Sequence, residues 1–314
     1  MAILIAVTGW DAGPWAERLR ARLPDRDIRI WPDAMGDPAD IRYALTWKAP
    51  ASALTACPNL QAVFSLGAGV DHLLGQQGLP DVPIVRVVDP DLTGRMSEWI
   101  TLQVLLHHRQ HLRYAAQQRR HEWTPHAQAA ARDVRVGILG LGVLGADAAE
   151  VLVRLGYRVA GWARTPKDLA GVECFAGEEA FDAFLARTDI LVNLLPLTPQ
   201  THGLIDRGVL DKLPRDGALG GPVFINAGRG GSHVEADIAQ ALRDGTLIAA
   251  SLDVFETEPL PADSPLWDLE TAVVTPHIAA DSDPDAIIDY VAAQIRAFEA
   301  GADLENRVDP ARGY

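Results

Sequence analysis

Residues 140–145 are Gly-Leu-Gly-Val-Leu-Gly, and they stand directly after an apolar run and directly before a helical stretch. In this setting Gly140 permits a tight turn, Gly142 lets the backbone approach a diphosphate, and Gly145 lets helix and strand pack closely. The start of the helix adds backbone N–H groups and a positive dipole end. A purely structural turn is the alternative, but the flanking strand and helix favour a dinucleotide site. The expected contacts come from Gly140, Gly142, Val143, Leu144 and Gly145.

The same alternation of short β-rich runs and helical stretches extends along most of the chain. It is typical of βαβ units, so we predict an α/β fold with parallel sheets. The predicted strands are 3–8, 28–31, 43–47, 62–65, 84–87, 134–139, 158–162, 190–194, 223–225, 248–252 and 272–274. The predicted helices are 14–23, 97–118, 146–155 and 284–300.

Length and composition narrow the class of protein. A chain of 314 residues suits about two domains. The net charge of -14 argues against nucleic acid or an anionic membrane surface as a partner. The two cysteines, Cys57 and Cys174, argue against a disulfide framework and for the cytoplasm. No apolar run approaches the roughly 18 residues of a membrane span, and residues 1–7 are predicted to be a buried strand rather than a signal peptide.

The predicted helix at 97–118 lacks glycine and proline, and we expect the chain to cross between domains there. His107 and His111 lie four residues apart on it, which suits metal ligands. No Glu completes an HExxH pattern and basic residues flank the pair, so we predict a partly exposed helix face and no metal site. The segment 119–132 is predicted to be a loop or arm.

The strand after the glycine motif indicates which dinucleotide is bound. NAD sites usually carry Asp or Glu at the end of this strand for the ribose 2′-OH, whereas residues 158–167 contain no carboxylate. Arg164 suits a 2′-phosphate instead, with Ala163 and Thr165 beside it. We therefore predict NADP(H) as the preferred cofactor, with NAD(H) possible. Solvated loop cations are the alternative interpretation.

Three polar residues near the end of the chain each follow a short β-rich run: Arg229, Glu258 and His277. The carboxyl ends of strands in an open α/β sheet are where ligands bind. Arg229 can pair with a carboxylate and with an adjacent carbonyl oxygen. His277 can donate a proton to that oxygen, while Glu258 fixes the tautomer and favours the protonated ring. Taken alone, Arg229 also fits a surface turn, Glu258 a loop charge and His277 a core histidine. Together with a dinucleotide motif, the three residues favour general acid catalysis.

These motifs resemble the D-isomer-specific 2-hydroxyacid dehydrogenases. The resemblance rests on GLGVLG, NLLPLTPQTHGLI, INAGRGG, DVFETEPLP and TPHIAA, in this order, and it covers essentially the whole chain. The segments 65–71, 89–99 and 308–314 resemble the glyoxylate/hydroxypyruvate reductase A branch of the family. The resemblance implies two Rossmann or flavodoxin-like domains. A cofactor domain at 99–284 would be inserted into a substrate domain formed by 1–98 and 285–314.

The resemblance also implies roles for individual residues. Arg229 would bind the substrate, His277 would be the acid/base and Glu258 its partner. Further cofactor contacts are expected at Leu195, Pro196, Ala227, Asp253 and His277, with Asp253 at the nicotinamide end. The substrate contacts are expected at Trp47, Leu66, Gly67, Ala68, Gly69 and Arg229.

The implied reaction is the NADPH-dependent reduction of a small 2-oxo acid, glyoxylate or hydroxypyruvate, with His277 as general acid. One alternative is a dehydrogenase that acts on another 2-oxo acid with NADH. A second alternative is a dinucleotide-sensing binding protein, like the corepressors that share this fold. The resemblance further implies a homodimer formed through the cofactor domain, with the arm 119–132 carrying Trp123 toward the neighbouring subunit. Neither nucleic acid nor a membrane is expected as a partner.

Overall fold

The structure is a computed structural model, and it describes residues 1–67, 69–310 and 313. Ala68, which is expected in the substrate-binding loop, lies outside the described residues. The chain forms two compact units, one of Met1–Leu92 with Ser282–Tyr314 and the other of Thr93–Asp281. These boundaries precede the expected ones, after residues 98 and 284, by a few residues.

The first unit contains a parallel sheet built from short, mostly apolar runs. Its strands are β1 (Ala2–Val7), β2 (Asp27–Ile30), β3 (Ile41–Trp47), β4 (Ala62–Ser65) and β5 (Ile84–Val85). Between them lie the helices α1 (Gly13–Arg22), α2 (Ala51–Thr55) and α3 (Asp71–Leu74), and a 3₁₀ turn at Pro38–Asp40. The strand order β2-β1-β3-β4-β5 is the flavodoxin-like order that the resemblance implied.

The central strand β1 is buried along its whole length. Ile3 and Ile5 belong to the core on one face of the sheet, and Leu4 and Ala6 to the core on the other. Successive side chains of a strand point to opposite faces. A continuous apolar strand therefore fits a parallel sheet that is covered on both faces.

The second unit follows the same alternation with longer elements. Helix α4 (Pro90–His108) leads into it and α5 (His111–Arg119) follows. Its strands are β6 (Arg135–Leu139), β7 (Arg158–Ala163), β8 (Val172–Ala176), β9 (Ile190–Asn193), β10 (Val223–Asn226), β11 (Ala249–Leu252) and β12 (Ala272–Val274). Its other helices are α6 (Val143–Arg154), α7 (Phe181–Leu185), α8 (Arg207–Asp211) and α9 (Glu235–Asp244), with 3₁₀ turns at Ala131–Asp133, Glu178–Ala180, Gly230–Ser232 and Pro265–Asp268.

The strand order of the second sheet is β12-β11-β10-β9-β6-β7-β8, and its strand pairs are parallel. The chain moves outward from β6 to β7 and β8, and then returns to the other side of β6 through β9. This is the Rossmann arrangement, with its switch point between β6 and β9. The fold class expected from the sequence is therefore confirmed for both sheets.

The prediction of a single long helix at 97–118 is wrong, because the chain forms two helices there. Gln110 has a left-handed backbone with φ of 53°, which an α-helix cannot continue through. Its side chain donates to the carbonyl oxygen of Ala127 at 2.7 Å, so the break is held by the segment after α5. His107 is buried and His111 lies exposed on the next helix, so the predicted shared helix face does not form.

An ion pair closes the amino edge of the second sheet. The guanidinium of Arg135, at the start of β6, lies 2.6 Å from Asp189, which directly precedes β9. The backbone N–H of Arg135 donates to the same carboxylate at 2.9 Å. Asp189 is 1% exposed, so this pair joins two neighbouring strands inside the fold.

The last helix, α10 (Pro284–Glu299), packs against α1 within the first unit. Arg18 and Arg22 contact the carboxylate of Asp285 at 3.2 and 2.8 Å. Arg22 also contacts Asp289 at 2.8 Å. Within the part of the chain that the structure describes, we find no helix that is both long enough and apolar enough to cross a membrane.

Candidate active site

Three adjacent parallel strands of the second unit end at one edge of its sheet. Arg229 follows β10, Glu258 follows β11 and His277 follows β12. These strands are neighbours in the sheet, so their carboxyl ends lie side by side. The three residues singled out from the sequence therefore stand on neighbouring loops of one unit.

The imidazole of His277 is paired with the carboxylate of Glu258. The distance from Nδ1 to Oε2 is 2.8 Å. The other oxygen of Glu258 accepts a hydrogen bond from the backbone N–H of Phe255 at 3.1 Å. A carboxylate can only accept, so the hydrogen lies on Nδ1 of His277. This fixes the tautomer and leaves Nε2 as the nitrogen that can exchange a proton with a ligand.

The backbone of His277 has an unusual conformation that its loop enforces. Its φ is 53°, in the left-handed region that side-chain-bearing residues seldom adopt. Its N–H donates to the carbonyl oxygens of Asp253 and Thr275 at 2.8 and 3.0 Å. Asp253 is 1% exposed. The geometry makes it a support for this loop, and its expected contact with the nicotinamide stays a prediction.

The loop that carries Arg229 packs against the loop that carries Glu258. At Gly230, a Cβ atom would lie 1.9 Å from the carbonyl carbon of Phe255, so only glycine allows this approach. The Nη1 group of Arg229 donates to the carbonyl oxygen of Gly228 at 2.8 Å. The half-buried guanidinium is thus oriented by its own turn.

The side chains of Glu235 and Glu256 tie the Glu258 loop to helix α9. The backbone N–H of Glu235 donates to Glu256 at 2.8 Å, and the N–H of Glu256 donates to Glu235 at 2.7 Å. Burial raises the pKa of Glu235, and the charges of Glu256 and Glu258 add to this effect. The reciprocal bonds hold the loop in place, and the carboxylates add negative charge near the His277–Glu258 pair.

The glycine motif forms the turn from β6 into α6 that the sequence predicted. Gly140 has φ of 99°, and a Cβ atom on Gly145 would lie 1.9 Å from the carbonyl oxygen of Gly140. A Cβ atom on Gly142 would meet no described atom within 4 Å, so the described part of the chain leaves the space in front of this residue open. Among the described residues, no side chain caps the N-terminus of α6. Open space beside free helix N–H groups fits the diphosphate of a dinucleotide, with Val143 and Leu144 in the first turn.

The end of β7 carries the residues expected at the ribose. Ala163 is 8% exposed and ends the strand, while Arg164 and Thr165 lie exposed just beyond it. Because β7 is the neighbour of β6, this position lies beside the glycine turn in the sheet. An exposed guanidinium at this point fits a phosphate on the ribose 2′ oxygen.

Further residues expected at the cofactor follow β9 and β10. Leu195 and Ala227 are each 7% exposed, and Pro196 is partly buried. The N–H group of Leu195 donates to the side-chain oxygen of Asn193 at 3.2 Å. The N–H group of Ala227 donates to the backbone carbonyl oxygen of Asn193, also at 3.2 Å. The two loops are therefore joined at the last residue of β9.

The first unit brings together most of the residues expected at the substrate. Trp47 ends β3, and its ring packs so closely on Gly67 that a Cβ atom there would lie 2.4 Å from the ring. Leu66 is buried beside it. The hydroxyl of Ser65 lies 3.1 Å from the carbonyl oxygens of both Gly67 and Gly69, which holds the loop after β4.

The described residues contain no group of three His, Cys, Asp or Glu side chains that could hold a metal ion. His107 has a different environment from the one expected. Its Nε2 lies 2.7 Å from the hydroxyl of Ser251, which donates to Gln103 at 2.8 Å. The imidazole therefore joins α4 to β11.

Sequence analysis missed a set of buried polar residues around the Arg229 turn. Asn193, Asn226, Ser232 and His233 form one hydrogen-bonded network there. Asparagine at the last position of two adjacent buried strands was a usable signal, because an amide there must find partners.

The family model for the NAD binding domain of D-isomer specific 2-hydroxyacid dehydrogenases matches residues 101–279. A glyoxylate/hydroxypyruvate reductase A from Yersinia enterocolitica is 40% identical over 311 residues, which cover 97% of this chain and 97% of the relative.

Several solved structures match nearly the whole length of both chains. A probable 2-hydroxyacid dehydrogenase from Rhizobium etli, in complex with NADP, HEPES and L(+)-tartaric acid, is 48% identical with a TM-score of 0.95, over 100% of this chain and 99% of that one. An NADPH-dependent glyoxylate/hydroxypyruvate reductase from Sinorhizobium meliloti, in complex with NADP and sulfate, is 48% identical with a TM-score of 0.92, again over 100% and 99%. The chain therefore belongs to the D-isomer-specific 2-hydroxyacid dehydrogenases, a family of NAD(P)-dependent oxidoreductases.

Proposed function

We propose that the protein reduces small 2-oxo acids with NADPH, converting glyoxylate to glycolate and hydroxypyruvate to D-glycerate. The observation that carries this proposal is the His277–Glu258 pair, with Nδ1 2.8 Å from Oε2. Glu258 lies on the loop next to that of Arg229. A cation that binds a carboxylate and an imidazole that can give up a proton are what the reduction of a 2-oxo acid requires.

In this reaction Arg229 binds the substrate carboxylate and directs an N–H group at the carbonyl oxygen. His277 donates the proton on Nε2 to that oxygen, which becomes the new hydroxyl group. Glu258 stays ionised and balances the charge of the imidazolium before the transfer. General acid catalysis of this kind contributes roughly 10²–10⁴-fold to a rate.

We propose that the cofactor is held by the carboxyl edge of the second sheet, and a bound nicotinamide supplies the hydride. The turn of Gly140, Gly142, Val143, Leu144 and Gly145 would hold the diphosphate. Ala163, Arg164 and Thr165 would hold the ribose phosphate. Leu195, Pro196, Ala227, Asp253 and His277 would adjoin the nicotinamide.

Two arguments support NADPH over NADH. Arg164 lies exposed at the end of β7, and residues 158–167 offer no carboxylate to a ribose 2′-OH. The Rhizobium etli and Sinorhizobium meliloti relatives are both in complex with NADP. Use of NADH with another 2-oxo acid is the alternative.

In the first unit, we propose that the loop after β4 binds the substrate. Gly67, Ala68 and Gly69 would offer backbone N–H groups to its carboxylate, while Trp47 and Leu66 would limit its side chain. The close packing of Trp47 on Gly67 supports this proposal, because it places the tryptophan ring directly beside one residue of the loop.

We propose a homodimer formed through the second unit and located in the cytoplasm. Trp123, in the segment 119–132, is 99% exposed, which is rare for a tryptophan unless a partner covers it. Cys57 and Cys174 are both free thiols. The net charge of -14 argues against nucleic acid as a partner.

Purified protein tests the proposal through the loss of NADPH absorbance with glyoxylate, hydroxypyruvate and pyruvate. We expect turnover with the first two and much slower turnover with NADH. Arg229→Gln and His277→Gln should each abolish it. Binding of NADPH without turnover of any 2-oxo acid would contradict the proposal and favour a dinucleotide-sensing protein.

A further inference from the structure

The turn that carries Arg229 rests on four buried polar side chains. Asn193, Asn226, Ser232 and His233 each have at most 1% of their surface exposed. Buried polar groups destabilise a fold unless they are hydrogen-bonded, so their bonds specify the shape of the turn. The mechanism above uses none of these side chains.

The amide of Asn226 is oriented by two backbone groups. Its Oδ1 accepts from the N–H of Gly228 at 2.9 Å, and its Nδ2 donates to the carbonyl oxygen of Arg229 at 3.2 Å. A backbone N–H can only donate and a backbone carbonyl can only accept. The two ends of the amide therefore cannot be exchanged.

This orientation determines the state of His233. Nδ2 of Asn226 lies 2.7 Å from Nδ1 of His233. The amide nitrogen Nδ2 can only donate a hydrogen bond, so Nδ1 of His233 must accept it. The imidazole is therefore neutral, with its hydrogen on Nε2. Burial also lowers the pKa of His233 to about 4, which keeps the ring neutral.

Nε2 of His233 is buried without a hydrogen-bond partner among the described residues. A buried donor without a partner destabilises the fold, and an apolar residue of similar size would avoid that loss. The histidine is therefore explained by the acceptor on Nδ1, which an apolar residue would not supply to the amide of Asn226.

The rest of the network converges on the carbonyl oxygen of Arg229. Ser232 donates to it from its hydroxyl at 2.5 Å and from its backbone N–H at 3.2 Å. Asn193 donates to the hydroxyl of Ser232 at 2.7 Å and to Oδ1 of Asn226 at 2.9 Å. The peptide that follows Arg229 is thus held by donors from two directions.

The same bonds orient the side chain of Arg229. Its Nη1 donates to the carbonyl oxygen of Gly228 at 2.8 Å. That carbonyl belongs to the peptide between Gly228 and Arg229. Asn226 binds the peptides on both sides of it, through the N–H of Gly228 and the carbonyl of Arg229. The direction of the guanidinium therefore depends on the amide of Asn226.

We propose that Asn226 and His233 are positioning residues that aim Arg229 at the substrate carboxylate, with neutral His233 accepting from the amide that sets the turn. This inference rests on the proposed role of Arg229 in binding a 2-oxo acid. It assigns to the segment 226–233 a function that the glycine-rich sequence around Arg229 does not reveal.

The test compares His233→Leu with His233→Asn. Leucine removes the acceptor, whereas the side-chain oxygen of asparagine can take the place of Nδ1. We expect His233→Leu to raise KM for glyoxylate roughly tenfold or more, because a displaced binding group loses alignment. KM for NADPH should stay within about twofold, and His233→Asn should recover most of the loss. An unchanged KM for glyoxylate in His233→Leu would overturn the inference.

A second variant covers the case in which His233→Leu does not fold. Asn226→Asp keeps the size of the side chain but replaces Nδ2 with an oxygen that cannot donate to Arg229. It should raise KM for glyoxylate in the same way. Wild-type values for KM in this variant would equally overturn the inference.

Asp189→Asn is the matched control, because it weakens the same sheet at the opposite end of β9. It should lower the melting temperature without changing the ratio of the two KM values. A parallel rise of KM for glyoxylate in this control would assign the effects in His233→Leu to lost stability and overturn the inference.

Calorimetric binding of oxalate to the NADP complex separates this inference from the proposed reaction. Oxalate requires Arg229 but no turnover. If the wild type reduces neither oxo acid yet binds oxalate, and His233→Leu weakens that binding as Arg229→Gln does, the proposed reaction fails and the positioning role stands. Equal oxalate affinity in the wild type and in His233→Leu would remove the positioning role.

Discussion

The backbone N–H of His277 donates a hydrogen bond to the carbonyl oxygen of Asp253 at 2.8 Å. The carboxylate of Asp253 also accepts from the hydroxyl of Thr275 at 2.6 Å, and from the N–H groups of Ile278 and Ala279 at 2.9 Å each. One buried residue at the end of β11 therefore holds both sides of the loop after β12. The place of the imidazole depends on Asp253 as much as on its own strand.

Asp253→Asn should lower kcat by more than it raises KM for the oxo acid. The amide keeps the size of the side chain but presents an NH₂ group to backbone N–H groups, which leaves a buried donor unpaired at a cost of about 1–3 kcal/mol. We expect kcat to fall roughly tenfold to hundredfold, because His277 moves. Steady-state kinetics measure this, with the exposed Asp211→Asn as control. A wild-type kcat in Asp253→Asn would contradict the supporting role.

Glu258→Gln should lower kcat roughly hundredfold while leaving KM for NADPH unchanged. Glutamine can keep a hydrogen bond to Nδ1 of His277 but removes the charge that balances the imidazolium. Single-turnover kinetics will separate the chemical step from binding. Glu256→Gln is the matched control in the same loop, since its carbonyl oxygen can still accept from Glu235. If both variants lose the same activity, the specific pairing with His277 is wrong.

Arg164→Ala should raise KM for NADPH roughly tenfold to hundredfold and leave KM for NADH nearly unchanged. If Arg164 binds the ribose end as proposed, its guanidinium gives a charge-assisted hydrogen bond only to a cofactor that carries a 2′-phosphate. Arg158→Ala, at the start of the same strand, is the control and should alter neither value. Equal changes for both cofactors would remove the argument for NADPH.

The sequence predicted most strands and the order of functional loops because short apolar runs and glycine turns are local signals. Strand β8 escaped because it is an edge strand, and its half-exposed residues Val172–Ala176 lack a strong apolar pattern. The break between α4 and α5 at Gln110 was also not predicted. It depends on a bond to Ala127, and a contact across that separation has no local signature.

Within the site, residue types were easier to predict than their supports. Arg229, Glu258 and His277 stand out because charged side chains rarely follow buried strands without a function. Asn226 and Asp253 hold the loops of two of them, but a sequence does not show which backbone groups a buried polar side chain meets. The roles of Asn226 and Asp253 became clear only from the hydrogen-bond distances in the structure.

Asp189→Ala should destabilise the second unit strongly without affecting its chemistry. Removing the carboxylate leaves the guanidinium of Arg135 without its partner at 2.6 Å, and a broken buried pair costs about 3 kcal/mol. The midpoint of urea unfolding, followed by tryptophan fluorescence, measures the loss. Asp211→Ala breaks an exposed pair with Arg207 and should shift the midpoint little. Similar shifts in both variants would show that burial of the Arg135–Asp189 pair is unimportant.

Mild acid should destabilise the native state through two buried histidines. Burial lowers the pKa of His107 to about 4 and that of His233 to about 4, from the ordinary value of 6.5. Between these values the unfolded chain binds protons that the native state does not. The contribution of each histidine is therefore complete above about pH 6.5 and is lost as the pH falls towards about 4. Each shift corresponds to a loss of the order of 3 kcal/mol.

Urea midpoints at about pH 7 and about pH 5 measure this loss, since the window lies between the two pKa values. His107→Asn should unfold more easily at neutral pH, because it weakens the link to Ser251. Its midpoint should nevertheless depend less on pH than that of the wild type, because one titrating group is gone. His111→Asn, at an exposed position, should keep the wild-type pH dependence. An identical pH dependence in His107→Asn and the wild type would show that His107 does not titrate between the two states.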